Sequence, residues 1–269
     1  MLDATLCIIG AGSMGGAIAR GLIESGLLAP ERLRVADADA ARLDDLARRG
    51  ATVSLDAREL LAAAPVPDVV LLAVKPQVLP DVMASVSDLV DGMLAVSIAA
   101  GVGTAAIAEA LPGARVVRVM PNLPVSVRSG ASTVCAGPRA TAEDVELTRQ
   151  IFAALGAACV VREDQLDAAG AVAGCAPAFF SLFVDALTRA GVRTGLPAAA
   201  CRELVEATMR GTAEQLLVEG CHPREYMERV TSPGGTTVAA LRELEPLLVE
   251  GVEQAVDAAL DRTRELAAR

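Results

Sequence analysis

Short apolar runs alternate with segments of helical period over the first 162 residues of the chain. The runs are rich in Val, Ile and Leu and are bounded by turn residues, which is typical of buried strands in a parallel sheet. We therefore predict central strands at 5–9, 33–36, 68–74, 94–98 and 115–120, and edge strands at 131–136 and 158–161 around a helix over 142–155. The expected architecture is a parallel α/β sheet covered by helices.

From residue 163 onward the apolar positions repeat with a helical period throughout. The pattern predicts helices over 165–173, 177–190, 197–219 and 236–269, the last one interrupted near Pro246. A chain of 269 residues is long enough for two ordinary domains. We place an α/β domain at 1–162 and an all-helical domain at 163–269.

A glycine-rich turn joins the first predicted strand to the helix that follows it. Its sequence, Gly10-Ala11-Gly12-Ser13-Met14-Gly15, is the G-x-G-x-x-G pattern of dinucleotide binding in the required context between strand and helix. Gly10 permits the tight turn, Gly12 lets a pyrophosphate approach the backbone, and Gly15 lets the helix pack against the strand. We interpret the first domain as a Rossmann domain with a mostly parallel, doubly wound sheet that binds NADPH or NADH.

Asp37 ends the second predicted strand, 22 residues beyond Gly15. An acidic residue at this place accepts hydrogen bonds from the adenosine ribose and repels a 2′-phosphate, which favours NADH. Asp37 could instead be a solvated turn residue, since Asp39 and two more aspartates lie nearby, and Arg42 could reach a 2′-phosphate. The choice between NADH and NADPH stays open at this point.

Two more segments follow predicted strands, at the edge where open α/β sheets bind ligands. Ala73-Val74-Lys75-Pro76 holds the only lysine of the chain, whose ammonium could neutralise a cofactor phosphate or a substrate carboxylate. Asn122 lies in a loop made rigid by two prolines and could bond the nicotinamide amide or a substrate group. Lys75 could also stand there by chance, and Asn122 could belong to a plain strand-ending turn.

The segment Thr231 to Thr237 combines a helix start with two glycines and four hydroxyls. Ser232 and Pro233 are typical of an N-cap and a first helical residue, which would put both glycines in the first helical turn. Backbone amides there have no intrahelical partner, so a carboxylate can bind them with help from the helix dipole. A capped helix start without a ligand would show the same residues. The carboxylate site that we predict comprises Ser232, Gly234, Gly235, Thr236 and Thr237.

Side chains that transfer protons are scarce: the chain has one histidine, one tyrosine and one lysine. Val230 stands four residues after Tyr226, so the Tyr-x-x-x-Lys pair of short-chain dehydrogenases is absent. His222 precedes Pro223 at a predicted helix start, where we expect a surface residue. Reduction of a ketone creates an alkoxide that needs a proton donor, whereas reduction of a protonated imine does not. The chain therefore suits reduction of C=N better than reduction of C=O.

Composition narrows the set of partners. A net charge of −10 disfavours nucleic acid. The six cysteines show no C-x-x-C pair and no metal spacing, so we expect reduced cytoplasmic thiols and no metal. The first strand begins close to Met1, so we expect no signal peptide. Residues 168–184 carry no charge, yet they are short for a membrane span and contain Pro177, so we expect a helix pair buried in protein.

The helical domain is more apolar than one small bundle can bury. Phe179 and Phe183 fall on one helix face, with Phe180 beside them. Burial in an obligate dimer accounts for such a face better than an aromatic ligand pocket does.

These motifs, in this order, resemble those of the pyrroline-5-carboxylate reductases over nearly the whole chain. The most specific is Thr231 to Thr237; the glycine turn is shared by many dehydrogenases. The resemblance implies NAD(P)H-dependent reduction of 1-pyrroline-5-carboxylate to L-proline, the last step of proline biosynthesis, by a cytoplasmic homodimer or a higher oligomer of dimers. It also implies that the active site lies between the nicotinamide and the 232–237 loop, whose amides hold the substrate carboxylate. Thr237 matches the threonine whose hydroxyl contacts the ring nitrogen.

Two segments depart from the family pattern and are less polar than it. Leu123 replaces the threonine of Met-Pro-Asn-Thr-Pro, and residues 173–179 read Ala-Gly-Cys-Ala-Pro-Ala-Phe instead of Ser-Gly-Ser-Gly-Pro-Ala-Tyr. The substrate could therefore be a related cyclic imino acid with a six-membered or substituted ring. The dinucleotide motif is also compatible with a β-hydroxy-acid dehydrogenase-like enzyme and with a non-enzymatic dinucleotide-binding paralogue.

Overall fold

The computed structural model describes residues 2–267, which form two compact units. The first unit contains the chain up to Cys175 together with the stretch from Leu260, and the second is Ala176–Ala259. The predicted domain boundary between residues 162 and 163 stays a prediction. It was placed where the sequence pattern changes, whereas the two units are defined by how tightly their residues pack together.

The first unit is built on a sheet that has eight strands within the described residues. The strands are β1 (Leu6–Ile9), β2 (Leu33–Ala36), β3 (Thr52–Ser54), β4 (Val69–Leu72), β5 (Leu94–Ser97), β6 (Arg115–Pro121), β7 (Gly130–Ala136) and β8 (Gly156–Val160). Their order across the sheet is β3-β2-β1-β4-β5-β6-β7-β8, and all neighbours are parallel except β6 and β7. The predicted mostly parallel, doubly wound Rossmann sheet is confirmed, with β3 as a strand that we did not predict.

Helices follow the strands in the alternation that parallel sheets require. They are α1 (Ser13–Glu24), α2 (Asp44–Arg48), α3 (Ala57–Ala62), α4 (Leu79–Val86), α5 (Thr104–Ala110), α6 (Ala142–Ala153) and α7 (Glu163–Ala169). A π-helical turn, Gly170–Gly174, continues α7.

Two apolar cores lie on the two faces of this sheet. Successive side chains of a strand point to opposite faces, so Leu6 and Ile8 join one core while Cys7 and Ile9 join the other. Burial raises the pKa of the Cys7 thiol to about 12, which keeps it protonated at neutral pH. All six cysteines are free thiols.

The second unit is helical, as predicted. Its helices are α8 (Ala176–Arg193), α9 (Ala198–Glu219), α10 (Pro223–Arg229) and α11 (Thr236–Ala267), the last of which continues beyond the unit. The predicted interruption near Pro246 is wrong, because α11 runs through this residue. Pro246 is exposed, so water can hydrate the carbonyl that its missing N–H leaves unpaired.

Glu163–Arg193 is the one helical stretch of the described chain that is long and apolar enough to cross a membrane, with a mean hydropathy of 1.6. Only 11% of that apolar window is buried within the protein. The burial expected for residues 168–184 is therefore not supplied by a single copy of this chain.

Candidate active site

A cavity of about 780 Å³ opens at the carboxyl ends of the strands in the first unit. Its size falls within the range of roughly 300–1,000 Å³ that ligand and cofactor sites occupy. It lies beside β1, β2 and β4, where the strand order reverses and doubly wound sheets bind dinucleotides. The predicted residues that line it are Gly10, Gly12, Ser13, Met14, Asp37, Ala73, Val74, Lys75 and Pro76.

The glycine turn has the backbone that a diphosphate site needs. Gly10 has φ +104°, and a Cβ there would lie 2.7 Å from the carbonyl oxygen of Ala73. A Cβ on Gly15 would overlap the carbonyl of Gly10. Gly12 differs, because its Cβ would meet only the Arg42 guanidinium, at 3.9 Å, and would project into the cavity. Its lack of a side chain leaves that space open for a ligand.

The start of α1 supplies donors next to this turn. Gly12 occupies the N-cap position and makes no side-chain cap bond, so the first amides of α1 stay available. A helix N-terminus of this kind favours an anion, and the first turn of α1 contains no acidic residue that would compete. The residues present therefore fit the diphosphate of a nicotinamide dinucleotide.

Asp37 is buried between the glycine turn and the chain that follows β2, with its side chain 9% exposed. Its Oδ2 accepts a hydrogen bond from the Ala11 amide at 2.7 Å, and its Oδ1 accepts one from the Asp39 amide at 2.9 Å. The Arg42 guanidinium lies 3.5 Å from Oδ2. Asp37 thus holds the glycine turn in place, a role that its position in the sequence does not indicate, and it also lines the cavity.

Lys75 lines the cavity from the segment that follows β4. Its backbone carbonyl accepts hydrogen bonds from the amides of Val78 and Leu79, which begin the next helix. Among the described residues, no carboxylate lies within ion-pair distance of its ammonium. The ammonium is exposed and free to bind a ligand anion.

Asn122 lies outside the cavity lining, and its amide is bonded within the protein. Its Nδ2 donates to the carbonyl of Ala173 at 3.0 Å, and its Oδ1 accepts from the amide of Ala131 at 2.8 Å. These bonds join the end of β6 to β7 and to the π-helical turn. The predicted contact with nicotinamide stays a prediction, while the bonds show a structural role. Leu123, the departure beside it, is exposed and also outside the lining.

The structure adds lining residues that sequence reasoning missed. Leu55 and Asp56 follow β3, Ala99 follows β5, and Met120 and Pro121 end β6. Asp56 caps α3 by accepting a hydrogen bond from the Arg58 amide at 2.8 Å. The sequence does show an aspartate just before a helical segment. However, β3 has only three residues and no apolar run, so the sequence does not indicate that a strand ends here beside the cavity.

The segment Thr231 to Thr237 lies in the second unit, and its helix begins at Thr236, the start that the apolar period predicts, rather than at Pro233. Pro233 and Gly234 form a turn closed by a hydrogen bond from the Gly235 amide to the Ser232 carbonyl at 3.0 Å. Gly234 has φ +70°, as the third residue of a type II turn requires. The expectation that Ser232 is the N-cap of α11 and Pro233 its first residue is wrong, because Pro233 and Gly234 adopt the conformation of a β-turn instead of a helix. Helical bonding begins with the Gly235 carbonyl.

This shift changes which amides can bind a carboxylate. The Gly235 amide is engaged in the turn, and Pro233 has none. The first amides of α11, those of Thr236, Thr237 and Val238, precede the first helical hydrogen bond and have no intrahelical partner. A Cβ on Gly235 would collide with the Ser232 hydroxyl, so glycine there allows the turn to fold tightly onto the helix start.

The remaining proton-carrying side chains have partners within the helical unit. His222 is exposed and caps α10, since its Nδ1 accepts a hydrogen bond from the Arg224 amide at 3.1 Å. The Tyr226 hydroxyl donates to Gln215 Oε1 at 2.9 Å. Over the described residues, no group of three His, Cys, Asp or Glu side chains is placed to hold a metal ion. His222 and Tyr226 are therefore both engaged in contacts of the helical unit.

Two family descriptions match separate parts of the chain. Residues 163–266 match the family described as pyrroline-5-carboxylate reductase dimerisation. Residues 5–101 match the family described as NADP oxidoreductase, coenzyme F420-dependent. The pyrroline-5-carboxylate reductase of Synechocystis sp. is 38% identical over 97% of both chains.

Solved structures agree with this similarity. The pyrroline-5-carboxylate reductase of Coxiella burnetii is 34% identical, with a TM-score of 0.93 over 98% of this chain and 99% of that one. The pyrroline carboxylate reductase of Plasmodium falciparum, solved with NADP bound, is 27% identical, with a TM-score of 0.85 over 99% of both chains.

Proposed function

The chain belongs to the pyrroline-5-carboxylate reductase family, and on that premise we propose that it uses NAD(P)H to reduce the C=N bond of 1-pyrroline-5-carboxylate, giving L-proline. The observation that carries the proposal is the start of α11, where the Thr236 and Thr237 amides have no intrahelical partner and lie beside the hydroxyls of the same two residues. It occurs in the same chain as a glycine turn that fits a diphosphate.

The first unit would hold the cofactor through its backbone. Gly10 and Gly15 shape the turn, Gly12 keeps its space open, and the first amides of α1 bind the diphosphate. Lys75 adds a positive charge from the end of β4. The reduced nicotinamide, when bound, supplies the hydride. Asp37 lies on the β2 side of the cavity, where the adenosine ribose binds in this fold.

The second unit would hold the imino acid. The amides of Thr236 and Thr237 lie at the positive end of the α11 dipole, which suits the substrate carboxylate. In the protonated imine the ring nitrogen carries an N–H, and the Thr237 hydroxyl oxygen can accept that hydrogen bond. Thr237 would thereby orient the C=N bond, and orientation of this kind is a main source of rate enhancement when no proton must move.

No side chain needs to act as an acid in this scheme. The substrate cation is electrophilic as it arrives, and the product amine keeps its proton. The engagement of His222 and Tyr226 in helix contacts agrees with this requirement.

The proposal includes a setting for the enzyme. The dimerisation family matched by residues 163–266 supports a homodimer, and we extend this to a homodimer or a higher oligomer of dimers in the cytoplasm. The net charge of −10 supports a small-molecule enzyme without a nucleic-acid partner. Burial of the apolar 168–184 stretch in the oligomer rather than in a membrane belongs to the same proposal.

The direct test is turnover of 1-pyrroline-5-carboxylate with NADH and with NADPH in the full chain, compared with a six-membered cyclic imino acid. We expect the five-membered ring to be the better substrate. In Thr237→Val, which keeps the shape and removes the hydroxyl, we expect kcat/KM to fall by about 10- to 100-fold, the usual worth of one hydrogen bond to a charged group.

Thr237→Ser is the matched control, because it keeps the hydroxyl and should keep most of the activity. Full activity in Thr237→Val would remove the proposed role of this hydroxyl. Absence of turnover on both rings, with cofactor binding intact, would instead contradict the function itself.

A further inference from the structure

Arg42 is the one cation that lines the adenosine side of the cavity within the described residues, and two carboxylates hold it. We infer that Asp39 sets the cofactor preference of this enzyme: by pairing with Arg42 it withholds the guanidinium from a 2′-phosphate, so that the chain prefers NADH to NADPH. The inference rests on the proposed function for the identity of the cofactor class, but it concerns a residue outside the cavity lining.

Two carboxylates, those of Asp37 and Asp39, pair with the guanidinium of Arg42. Its Nη1 lies 3.5 Å from Asp37 Oδ2, and its Nε lies 3.3 Å from Asp39 Oδ2. The guanidinium also faces the open space at Gly12, 3.9 Å from where a Cβ would stand. Arg42 is thus close to the ligand space, while its charge is shared by two anions.

Asp39 is fixed where it can do this. Its amide donates to Asp37 Oδ1 at 2.9 Å, its Oδ1 accepts from the Ala41 amide at 3.1 Å, and its carbonyl accepts from the Arg42 amide at 3.1 Å. These bonds form the short helical turn Ala40–Arg42, which carries the guanidinium. The second oxygen of Asp39 is then free to pair with Arg42.

The charges on this side of the cavity oppose a 2′-phosphate. Asp37 and Asp56 line it directly, and Asp39 adds a third carboxylate against the single guanidinium of Arg42. A 2′-phosphate carries up to two negative charges and three acceptor oxygens, for which a carboxylate offers only repulsion. Ribose hydroxyls are donors and suit the Asp37 carboxylate.

Lys75, the second cation of the lining, belongs to the segment after β4, on the far side of β1 from β2. Lys75 therefore does not change the balance of charge around the adenosine ribose. Arg58, whose amide is capped by Asp56, pairs through its guanidinium with both oxygens of Asp88 and does not line the cavity.

Removing the charge of Asp39 should make Arg42 available to the 2′-phosphate of NADPH. Asp39→Asn keeps the oxygen that caps the Ala41 amide and removes the charge that holds Nε of Arg42. The guanidinium then has one carboxylate fewer and can turn toward a phosphate, a partner that arginine binds through two parallel hydrogen bonds.

The test measures the dissociation constants of NAD⁺ and NADP⁺ by calorimetry on the full chain, without any imine. The wild-type protein should bind NAD⁺ at least about 10-fold more tightly than NADP⁺, the size expected for one charged contact. Asp39→Asn should bind NADP⁺ about 2- to 5-fold more tightly than the wild type while its affinity for NAD⁺ changes little, since Arg42 and Asp39 are each 53% exposed and such a pair is partly screened by water. Asp39→Asn with Arg42→Gln should lose that gain. Glu146→Gln, which removes the same charge on the exposed face of α6, should change neither constant.

Three results would overturn the inference. One is a wild-type protein that binds NADP⁺ as tightly as NAD⁺. Another is an Asp39→Asn variant whose two constants shift together, as they would through a general loss of charge or of folding. The third is a gain in NADP⁺ affinity that survives Arg42→Gln. Because no substrate is present, these outcomes are independent of whether the enzyme reduces 1-pyrroline-5-carboxylate.

Discussion

Asp144 is a buried carboxylate near the start of α6 that holds two parts of the sheet unit together. It accepts hydrogen bonds from Nε of Arg115, at 2.9 and 3.0 Å, and from the Thr141 amide at 2.9 Å. The Thr141 hydroxyl in turn accepts from the Asp144 amide, which completes a capping box. Burial would raise the pKa of the Asp144 carboxyl, but the bonds from Arg115 and Thr141 outweigh it and lower the pKa below its usual value.

This lowered pKa predicts how stability depends on pH. The ionised form is favoured by folding, so the contribution of Asp144 is complete above the pKa of the unfolded chain and is lost as pH falls through the lower, folded pKa. Asp144→Asn should lower the free energy of unfolding by about 1–3 kcal/mol at pH 7, the cost of breaking a buried charged hydrogen bond. Urea unfolding at pH 7, and at a series of pH values below 4, measures the difference, which should shrink as the wild-type carboxyl becomes protonated.

Glu146 provides the control on the same helix. Its pKa is lowered to about 2 by hydrogen bonds from Arg149 and then Gln150, yet its side chain is exposed. Exposed pairs are screened by water and contribute little. Glu146→Gln should therefore unfold like the wild type at pH 7 and throughout the acidic series, and a loss equal to that of Asp144→Asn would contradict the role given to burial.

At the scale of elements, α5 is stabilised by a residue 59 positions further along the chain. Both oxygens of Glu163, the first residue of α7, accept hydrogen bonds from Thr104, one from its amide and one from its hydroxyl, each at 2.6 Å. The N-cap residue of α5 is Gly103, which has no side chain to do this. Glu163 thus caps α5 and joins α7 to it.

We expect Glu163→Ala to lower the free energy of unfolding by about 1–2 kcal/mol, the usual cost of removing a helix cap. Glu163→Gln, which keeps one acceptor oxygen, should lose less. Asp164→Ala is the matched control, since this neighbour is exposed and pairs only with Arg162, also exposed. Thermal unfolding separates the three variants; equal melting temperatures for Glu163→Ala and Asp164→Ala would contradict the cap.

The elements that sequence predicted correctly are those whose signals are local. The run before Gly10 and the glycine turn need only their own residues to specify β1 and the start of α1, and both lie where we expected. The strand β3 was missed because it has three partly exposed residues and is held by pairing with β2 rather than by its own apolarity. In the π-helical turn, a Cβ on Gly170 or Gly174 would lie 3.4 or 3.6 Å from the side chain of Met120, a neighbour distant in sequence that no local pattern reports.

The site shows the same division. Contact of Gly12 and Lys75 with the cavity follows from their place after strands, which the sequence reveals. The bond of Asp37 to the Ala11 amide and the bonds of Asn122 to Ala131 and Ala173 join segments distant in sequence. Competition between helix and turn signals at Ser232-Pro233-Gly234 was decided for the turn, since two glycines after the proline disfavour a helix by about 1 kcal/mol each.

At the scale of the whole molecule, the helical unit leaves two large surfaces uncovered, and the first of them is apolar. A groove of about 540 Å³ runs between α8 and α11 and is lined by Phe179, Phe183, Leu247 and further aliphatic residues. A second cavity, of about 710 Å³, lies between α8 and α9 and is lined by Phe180 together with charged residues such as Asp185, Arg202 and Glu206. Phe179 and Phe183 share a face, as predicted, while Phe180 belongs to the second surface. Apolar surface of this extent marks a site of association.

Because this part of the chain matches a dimerisation family, we expect a second copy to cover the α8–α11 groove. Leu247 is 74% exposed in the single chain, so replacing it removes few contacts inside the protein. Leu247→Glu would place a charge in the apolar groove, where an unpaired charge is costly. We expect light scattering to give at least twice the chain mass of 27.5 kDa for the wild type and a shift toward that single mass for Leu247→Glu.

Val66→Glu is the matched control for this experiment, because Val66 is an aliphatic residue of the sheet unit that is also exposed, at 59%. It adds the same charge outside the helical unit and should leave the mass unchanged. Thermal unfolding of both variants distinguishes dissociation from misfolding, since a folded monomer still unfolds cooperatively. A Leu247→Glu protein that keeps the wild-type mass and melting temperature would show that the α8–α11 groove is not the surface through which two copies associate.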